Sequence, residues 1–232
     1  MPDYSKSLSC FEYQRFEKYI IMKTLLLLSS GSFWEQDLSK YIRKALKDLR
    51  IAHVINASKD KGVHDLSYMD RTRERFKKSN CYFEDLDLDG KNEKELRNIL
   101  KKFNAVFVNG GSTFYLLKAI RESGFDKVIK ELLPQGFIYI GASAGSYVAC
   151  PTIEMALWEH QDKYDHCGLT DLTGMNLIPF LVSVHYIPEF HDLLKEKIAK
   201  ADYPTRILTD NQAILVKDDK IELIGREPEI IL

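Results

Sequence analysis

Short apolar runs alternate with longer amphipathic segments along this chain, and that alternation confines it to a sheet whose strands are joined through helices. Thr24 to Ser29, Ala52 to Ala57, Cys81 to Asp85, Ala105 to Val108 and Phe137 to Ile140 read as strands. Helices are expected between them, over Glu35 to Leu49, Tyr68 to Lys78, Glu93 to Lys102, Thr113 to Glu122 and Phe125 to Leu133. Strands joined by such crossovers run parallel, so their carboxyl ends gather on the edge where open α/β sheets bind ligands. From Pro151 to Gly174 the rhythm is lost, and the segment reads as a long functional loop or small insertion. Beyond it the apolar run Leu181 to Val184 leads into His185, and a helix is expected over Glu189 to Ala201. Strands are then expected at Arg206 to Leu208, Ala213 to Lys217 and Lys220 to Ile224, the last two forming a hairpin turned by Asp218-Asp219.

A chain of 232 residues is long enough for one well-buried α/β core, placed here at residues 22–232 as a single domain. Residues 1–21 read as an N-terminal extension of unassigned role, with a short helix expected over Phe11 to Tyr19. Lys plus Arg (33) nearly balances Asp plus Glu (34), so no global field draws the chain to nucleic acid or an anionic membrane. Cys10, Cys81, Cys150 and Cys167 show no CxxC spacing and read as reduced thiols of a cytoplasmic protein. The apolar stretch Thr24 to Leu28 is far too short to span a bilayer.

The pentapeptide Gly141-Ala142-Ser143-Ala144-Gly145 closes one apolar run and opens a segment of small residues. It reads either as a nucleophile elbow, with Ser143 at its tip, or as an ordinary strand-to-helix turn capped by a serine. In an elbow the chain reverses so sharply that bulky side chains two positions either side of the serine collide. A serine nucleophile needs a base, and His185, at the end of an apolar run, is the best placed of the six histidines. Asp210 follows the run Arg206 to Thr209 and is the first choice to orient that histidine, with a turn-forming role as the other reading. Acids of the Glu154 to Asp171 loop compete for the same role. Backbone donors for an oxyanion are available at Ala144 and in the loop Asn109-Gly110-Gly111-Ser112-Thr113. That loop lacks the Gly-Lys-Ser/Thr of a nucleotide site, and His160, Asp162, Asp165, His166 and Cys167 match no metal-ligand spacing, so neither cofactor nor metal is expected.

Taken in order, Asn109 to Leu117, Tyr139 to Ser146 with Cys150-Pro151-Thr152, and Asn176 to Pro179 before His185-Tyr186 resemble the peptidase E (aspartyl dipeptidase) and cyanophycinase family of serine peptidases. The resemblance runs from about Lys23 to the C-terminus. It implies a class I glutamine-amidotransferase-like (flavodoxin-like) fold, a three-layer α/β sandwich with a mostly parallel central sheet plus the C-terminal β-hairpin. It also implies Ser143 as nucleophile, His185 as base, and an oxyanion hole at Gly111 and Ala144. Asp210 falls where the family has an acidic residue, usually Glu. A second family proposal puts an Asp shortly after the elbow, where this chain has Trp158-Glu159, which leaves Glu159 as a reserve.

The family's aspartate recognition is associated with an arginine on the helix after the histidine. Here that helix has Lys195, Lys197 and Lys200 and no arginine, so the resemblance does not carry an aspartyl preference over. The expected activity is that of a serine-type exopeptidase, dipeptidase-like, acting on a small peptide substrate through an acyl-enzyme, as a monomer or homodimer. The alternatives are an α/β-hydrolase-type esterase, which orders its triad Ser, acid, His, and a non-catalytic amidotransferase-like binding domain.

Overall fold

The leucine run Thr24–Leu28 is buried along its whole length and forms strand β1 inside a seven-stranded sheet. The computed structural model describes residues 23–36, 38–161 and 167–232. The expected extension over residues 1–21 and its helix therefore lie outside the described residues. The other strands of the sheet are β2 (Arg50–Val54), β3 (Tyr82–Leu86), β4 (Ala105–Val108), β5 (Ile138–Ala142), β8 (Gln212–Lys217) and β9 (Lys220–Gly225). Their order is β3-β2-β4-β5-β1-β8-β9. The first five are parallel, and β8 and β9 add antiparallel at one side, with Leu28 opposite both Ala142 and Ala213.

Parallel strands covered on both faces read as continuous apolar runs, which is why β1, β4 and β5 were so legible. Leu25 and Leu27 face one core layer, built with helices α4 (Thr113–Ser123) and α5 (Phe125–Leu132). Leu26 and Leu28 face the other, with Phe33, Trp34, Leu38, Ile42 and Phe76. Phe76 belongs to α2 (Ser67–Lys78), while α3 (Glu93–Leu100) is held at its start by a reciprocal Asn92–Glu95 capping box. The result is the three-layer α/β architecture, mostly parallel, with a C-terminal hairpin.

Several local expectations shift. The continuous helix over Glu35 to Leu49 does not form. A 3-10 turn at Gly31–Glu35, one α-helical turn α1 (Ser39–Ile42) and a second 3-10 turn at Leu46–Asp48 replace it. Arg43, left-handed at φ 52°, ends α1, and the bend lets Ile42 and Leu49 both reach the same core layer. The second strand stops at Val54 because Asn56 turns inward, accepting from Leu88 N–H at 2.9 Å and donating to Asp87 and Asp89. The helix expected over Glu189 to Ala201 begins as a 3-10 turn at Pro188–Phe190 and continues as α7 (His191–Ile198). The run before His185 forms β6 (Leu181–Ser183), which pairs with β7 (Thr205–Ile207) in a separate two-stranded parallel sheet. The side of the central sheet beyond β1 is occupied by the β8–β9 hairpin, so β6 finds its partner elsewhere.

Candidate active site

Ser143 sits where β5 ends and the short helix α6 (Ala144–Tyr147) begins, with φ 52° and ψ −111°. That backbone conformation is rare for a residue with a side chain, and the surroundings over-determine it. Ser143 N–H donates to Leu28 C=O at 3.0 Å, and the Tyr139 hydroxyl donates to Gly145 C=O at 2.6 Å. The fully buried Ser146 hydroxyl lies 2.8 and 2.9 Å from the carbonyls of Leu28 and Gly141. The flanking glycines are steric necessities. A Cβ at Gly145 would lie 2.0 Å from Val108 C=O, and one at Gly141 would lie 2.3 Å from Gly145 C=O.

Facing the serine, His185 Nε2 lies 3.0 Å from Ser143 Oγ, and His185 Nδ1 lies 2.6 Å from Asp210 Oδ1. The carboxylate fixes which ring nitrogen bears the proton: Nδ1–H donates to Asp210 and Nε2 accepts from the serine hydroxyl. The hydrogen bond from His185 holds the Asp210 carboxyl below its ordinary range. His185 itself is left-handed at φ 60°. Its conformation is held by Ser29, a buried residue directly after β1 that accepts from His185 N–H at 2.8 Å and donates to Asp210 Oδ1 at 3.1 Å. Ser29 thus grips the backbone of His185 and the carboxylate of Asp210 together, and no local sequence pattern marked it.

The glycine loop is anchored from the opposite side. Gly110 packs on the serine, since a Cβ there would lie 3.1 Å from Ser143 Cβ. Gly110 N–H donates to Asn109 Oδ1 at 2.9 Å, and Asn109 Nδ2 lies 3.0 Å from His53 Nε2. His53 Nδ1 in turn reaches Asp85 Oδ1 at 2.8 Å, and Asp85 Oδ2 is clamped by Arg73 Nη2 at 2.7 Å. Burial lowers the pKa of His53 and keeps it neutral, so it donates to Asp85 and accepts from Asn109. The hydrogen bonds from His53 and Arg73 hold the Asp85 carboxyl down to about 2. Ser112 ties down the far end of the loop, donating to the buried Asp60 carboxylate at 2.7 Å and accepting from Tyr115 N–H. Gly111 is at φ 127°, with its Cα side against Ala57 C=O, so no other residue fits there.

Two clefts meet at Ser143, Gly111 and His185. One, of about 310 Å³, runs past Ser30 to Ser32 and the helix residues Tyr68, Arg71 and Arg75. The other, of about 430 Å³, is lined by Thr113, Tyr147, Glu159, His160 and Phe190. Each holds a buried polar atom with no hydrogen-bond partner among the described residues: Tyr68 Oη in the first, His160 Nδ1 in the second. Burial and the nearby His185 push the His160 pKa down to about 4, so this ring too is neutral.

The structure therefore brings Ser143, His185 and Asp210 into one hydrogen-bonded chain and places Gly111 and Ala144 beside the serine. Glu159 lines the second cleft but pairs with Lys197 at 2.8 Å and does not touch His185 Nδ1. Lys200 pairs with Glu196 at 2.6 Å. Cys150 is fully buried and its thiol is pushed up to about 12, which makes it unsuited to act as a nucleophile. Of the acidic and histidine loop, Asp162, Asp165 and His166 lie outside the described residues. Among the described residues, no group of three or more His, Cys, Asp or Glu side chains is placed to hold a metal ion. Nor is any helix long and apolar enough to cross a membrane.

The chain matches the model of peptidase family S51 over residues 25–224. It is 30% identical over 156 residues to an uncharacterised peptidase of Pasteurella multocida (strain Pm70), a match covering 66% of this chain and 74% of that one. It is 27% identical over 221 residues to peptidase E of Nostoc sp. (strain PCC 7120 / SAG 25.82 / UTEX 2576), covering 88% and 87% of the two chains. The crystal structure of a candidate peptidase E from Listeria monocytogenes EGD-e superposes with a TM-score of 0.77 at 23% identity, covering 89% of this chain and all of that one.

Proposed function

The chain belongs to peptidase family S51 and is a serine peptidase, and from that premise we propose that it is a dipeptidase-like exopeptidase that cleaves small peptides through an acyl-enzyme on Ser143. The observation that carries this reading is the continuous hydrogen-bond chain from Asp210 through His185 to Ser143 Oγ. In the first half-reaction His185 Nε2 takes the Ser143 proton as Oγ attacks the peptide carbonyl. The tetrahedral intermediate collapses when His185 returns that proton to the leaving amine and the C–N bond breaks. Water, deprotonated by the same histidine, then attacks the ester and releases the acid.

The strained turn at Ser143 acts as a nucleophile elbow and aims Ala144 N–H, the first amide of a helix and therefore without an intrahelical acceptor, at the developing oxyanion. Gly110 N–H is already engaged by Asn109, which supports Gly111 N–H as the second donor. Each such donor contributes on the order of 3 kcal/mol to the barrier reduction. An α/β-hydrolase-type esterase would take its acid from between Ser143 and His185, whereas the contacting carboxylate comes after both. The free, buried Cys81 and Cys150 support a reducing cytoplasmic setting, and a monomer or homodimer meets the needs of a site built from one chain.

A fluorophosphonate probe together with a dipeptide hydrolysis screen tests the reading. Wild type is expected to label on Ser143 and to release amino acids, and Ser143→Ala to do neither. An unlabelled wild type, or equal labelling of Ser143→Ala, overturns it.

A further inference from the structure

The arginines that line a cleft with Ser143 come from an element that the family resemblance did not single out. In the cleft shared by Ser143 and Gly111, helix α2 presents Tyr68, Arg71 and Arg75, and among the described residues lining that cleft none is acidic. Arg75 is mostly buried and is fixed at one end, its Nε donating to Glu35 Oε1 at 3.0 Å. Arg71 is exposed, and its Nη1 donates to the neutral Ser67 hydroxyl at 2.7 Å; Asp65, which accepts from Ser67 N–H, feels its charge through space without forming an ion pair with it. In the same cleft lies Tyr68 Oη, buried and without a hydrogen-bond partner among the described residues, so close to the glycine loop that a Cβ on Gly111 would come within 2.8 Å of it. Burial, with some help from Asp65, raises the phenol to about 12, so it remains a donor at neutral pH.

A buried hydroxyl is rarely left without a partner from the protein, water or a ligand. Two guanidinium forks beside a neutral phenol that can donate suit a planar anion, for which bidentate contact adds both geometry and strength.

We infer that Tyr68, Arg71 and Arg75 form a subsite for a carboxylate of the peptide substrate, next to Ser143. The inference rests on the serine-peptidase reading above and adds a substrate class to it. Two carboxylates of a small peptide have this chemistry: an acidic side chain on the residue that acylates Ser143, or the free C-terminus of the residue that leaves. Lys195 and Lys197 of α7 and Lys200 just beyond it do not line this cleft, and Lys197 and Lys200 are paired with Glu159 and Glu196.

The test is protection of Ser143 from a neutral fluorophosphonate by a dipeptide with an N-terminal Asp and a free C-terminus, from which the carboxylates are removed one at a time. One arm replaces the Asp by Asn and the other replaces the terminal acid by its amide. In wild type one of these changes is expected to raise the half-protecting concentration at least about tenfold, the worth of a charge-assisted pair, and the arm that responds identifies the source. In Arg71→Gln and in Tyr68→Phe the same change is expected to cost less than about threefold, with Arg71→Lys intermediate because it keeps the charge without the fork. Arg71 is exposed, so its substitution leaves the fold in place, which thermal melting checks, and the test does not depend on the buried Arg75. Wild-type protection that is indifferent to both changes overturns the inference while the peptidase reading stands. A preference undiminished in Arg71→Gln and Tyr68→Phe does the same. A wild type that does not label at all removes the peptidase reading and this inference with it.

Discussion

His185 Nδ1 lies 2.6 Å from Oδ1 of Asp210, so the proposed base is oriented by a carboxylate that follows both serine and histidine in the chain. Asp210 arrives there from the connection between β7 and β8, whose start is pinned to the end of β1 through Ala213 and Leu28. Replacing Asp210 by Asn keeps the shape but leaves the ring free to hold the wrong tautomer, and kcat is expected to fall roughly 10³- to 10⁴-fold. Glu159→Gln is expected to change kcat by less than about tenfold, because its carboxylate is engaged by Lys197 instead of the ring. Steady-state kinetics on any hydrolysed dipeptide decides this, and equal losses in the two variants would reject the assignment.

Ser29 hydrogen-bonds His185 and Asp210 and lines neither cleft, so we propose that it acts through them. Ser29→Ala leaves the part-buried His185 N–H without its acceptor and releases one constraint on Asp210. A stability loss of about 1–3 kcal/mol is expected, with a fall in kcat and little change in KM. The split between the two kinetic constants is the readout, since a merely structural role for Ser29 would lower stability and leave kcat per folded molecule intact.

The contrast between Asp210 and Ser29 shows what the sequence made legible. Ser143, His185 and Asp210 each follow an apolar run, and small residues must flank a serine forced to φ 52°, so composition along a short window was enough. Ser29 binds a residue 156 positions away, and the His53–Asn109 contact spans 56. No periodicity encodes such pairings, which exist only once the parallel strands bring their carboxyl ends together. The same limit explains the arginines of α2: their helix was expected from its amphipathic pattern, but which strand end it overhangs is a property of the sheet order. The broken segment at Glu35 to Leu49 failed for the opposite reason. Its apolar spacing is helical, and packing against the sheet bent it at Arg43 regardless.

Gly145→Ala tests the close approach behind the elbow. The added methyl would sit 2.0 Å from Val108 C=O, a backbone atom inside the central sheet that has no side-chain freedom to retreat. The variant is expected to lose about 3 kcal/mol or more, read as the midpoint of urea unfolding. Gly90→Ala is the control: a Cβ there meets nothing within 4 Å, and its cost comes only from the left-handed backbone at φ 71°.

Acid should loosen the glycine loop before the rest of the fold. His53 is buried and neutral, with its pKa lowered, whereas in the unfolded chain it takes up a proton near its ordinary value of about 6.5. His160, held down to about 4, behaves the same way. For both, the unfolded state binds more protons at mildly acidic pH. Their contribution to stability is therefore complete above about pH 6.5 and is lost as pH falls below it, at up to about 1.4 kcal/mol per pH unit for each ring. Asp85, held near 2, adds a second loss that sets in only below the ordinary carboxylate range near pH 4. Chemical denaturation between pH 6.5 and 4.5 is expected to show stability falling with pH in wild type and about half that slope in His53→Gln. Adding His160→Gln is expected to reduce the slope further. A wild-type slope that survives both substitutions would mean that neither ring is held neutral by the fold. Because protonated His53 cannot accept from Asn109, labelling of Ser143 in wild type should also decline over this range before global unfolding begins.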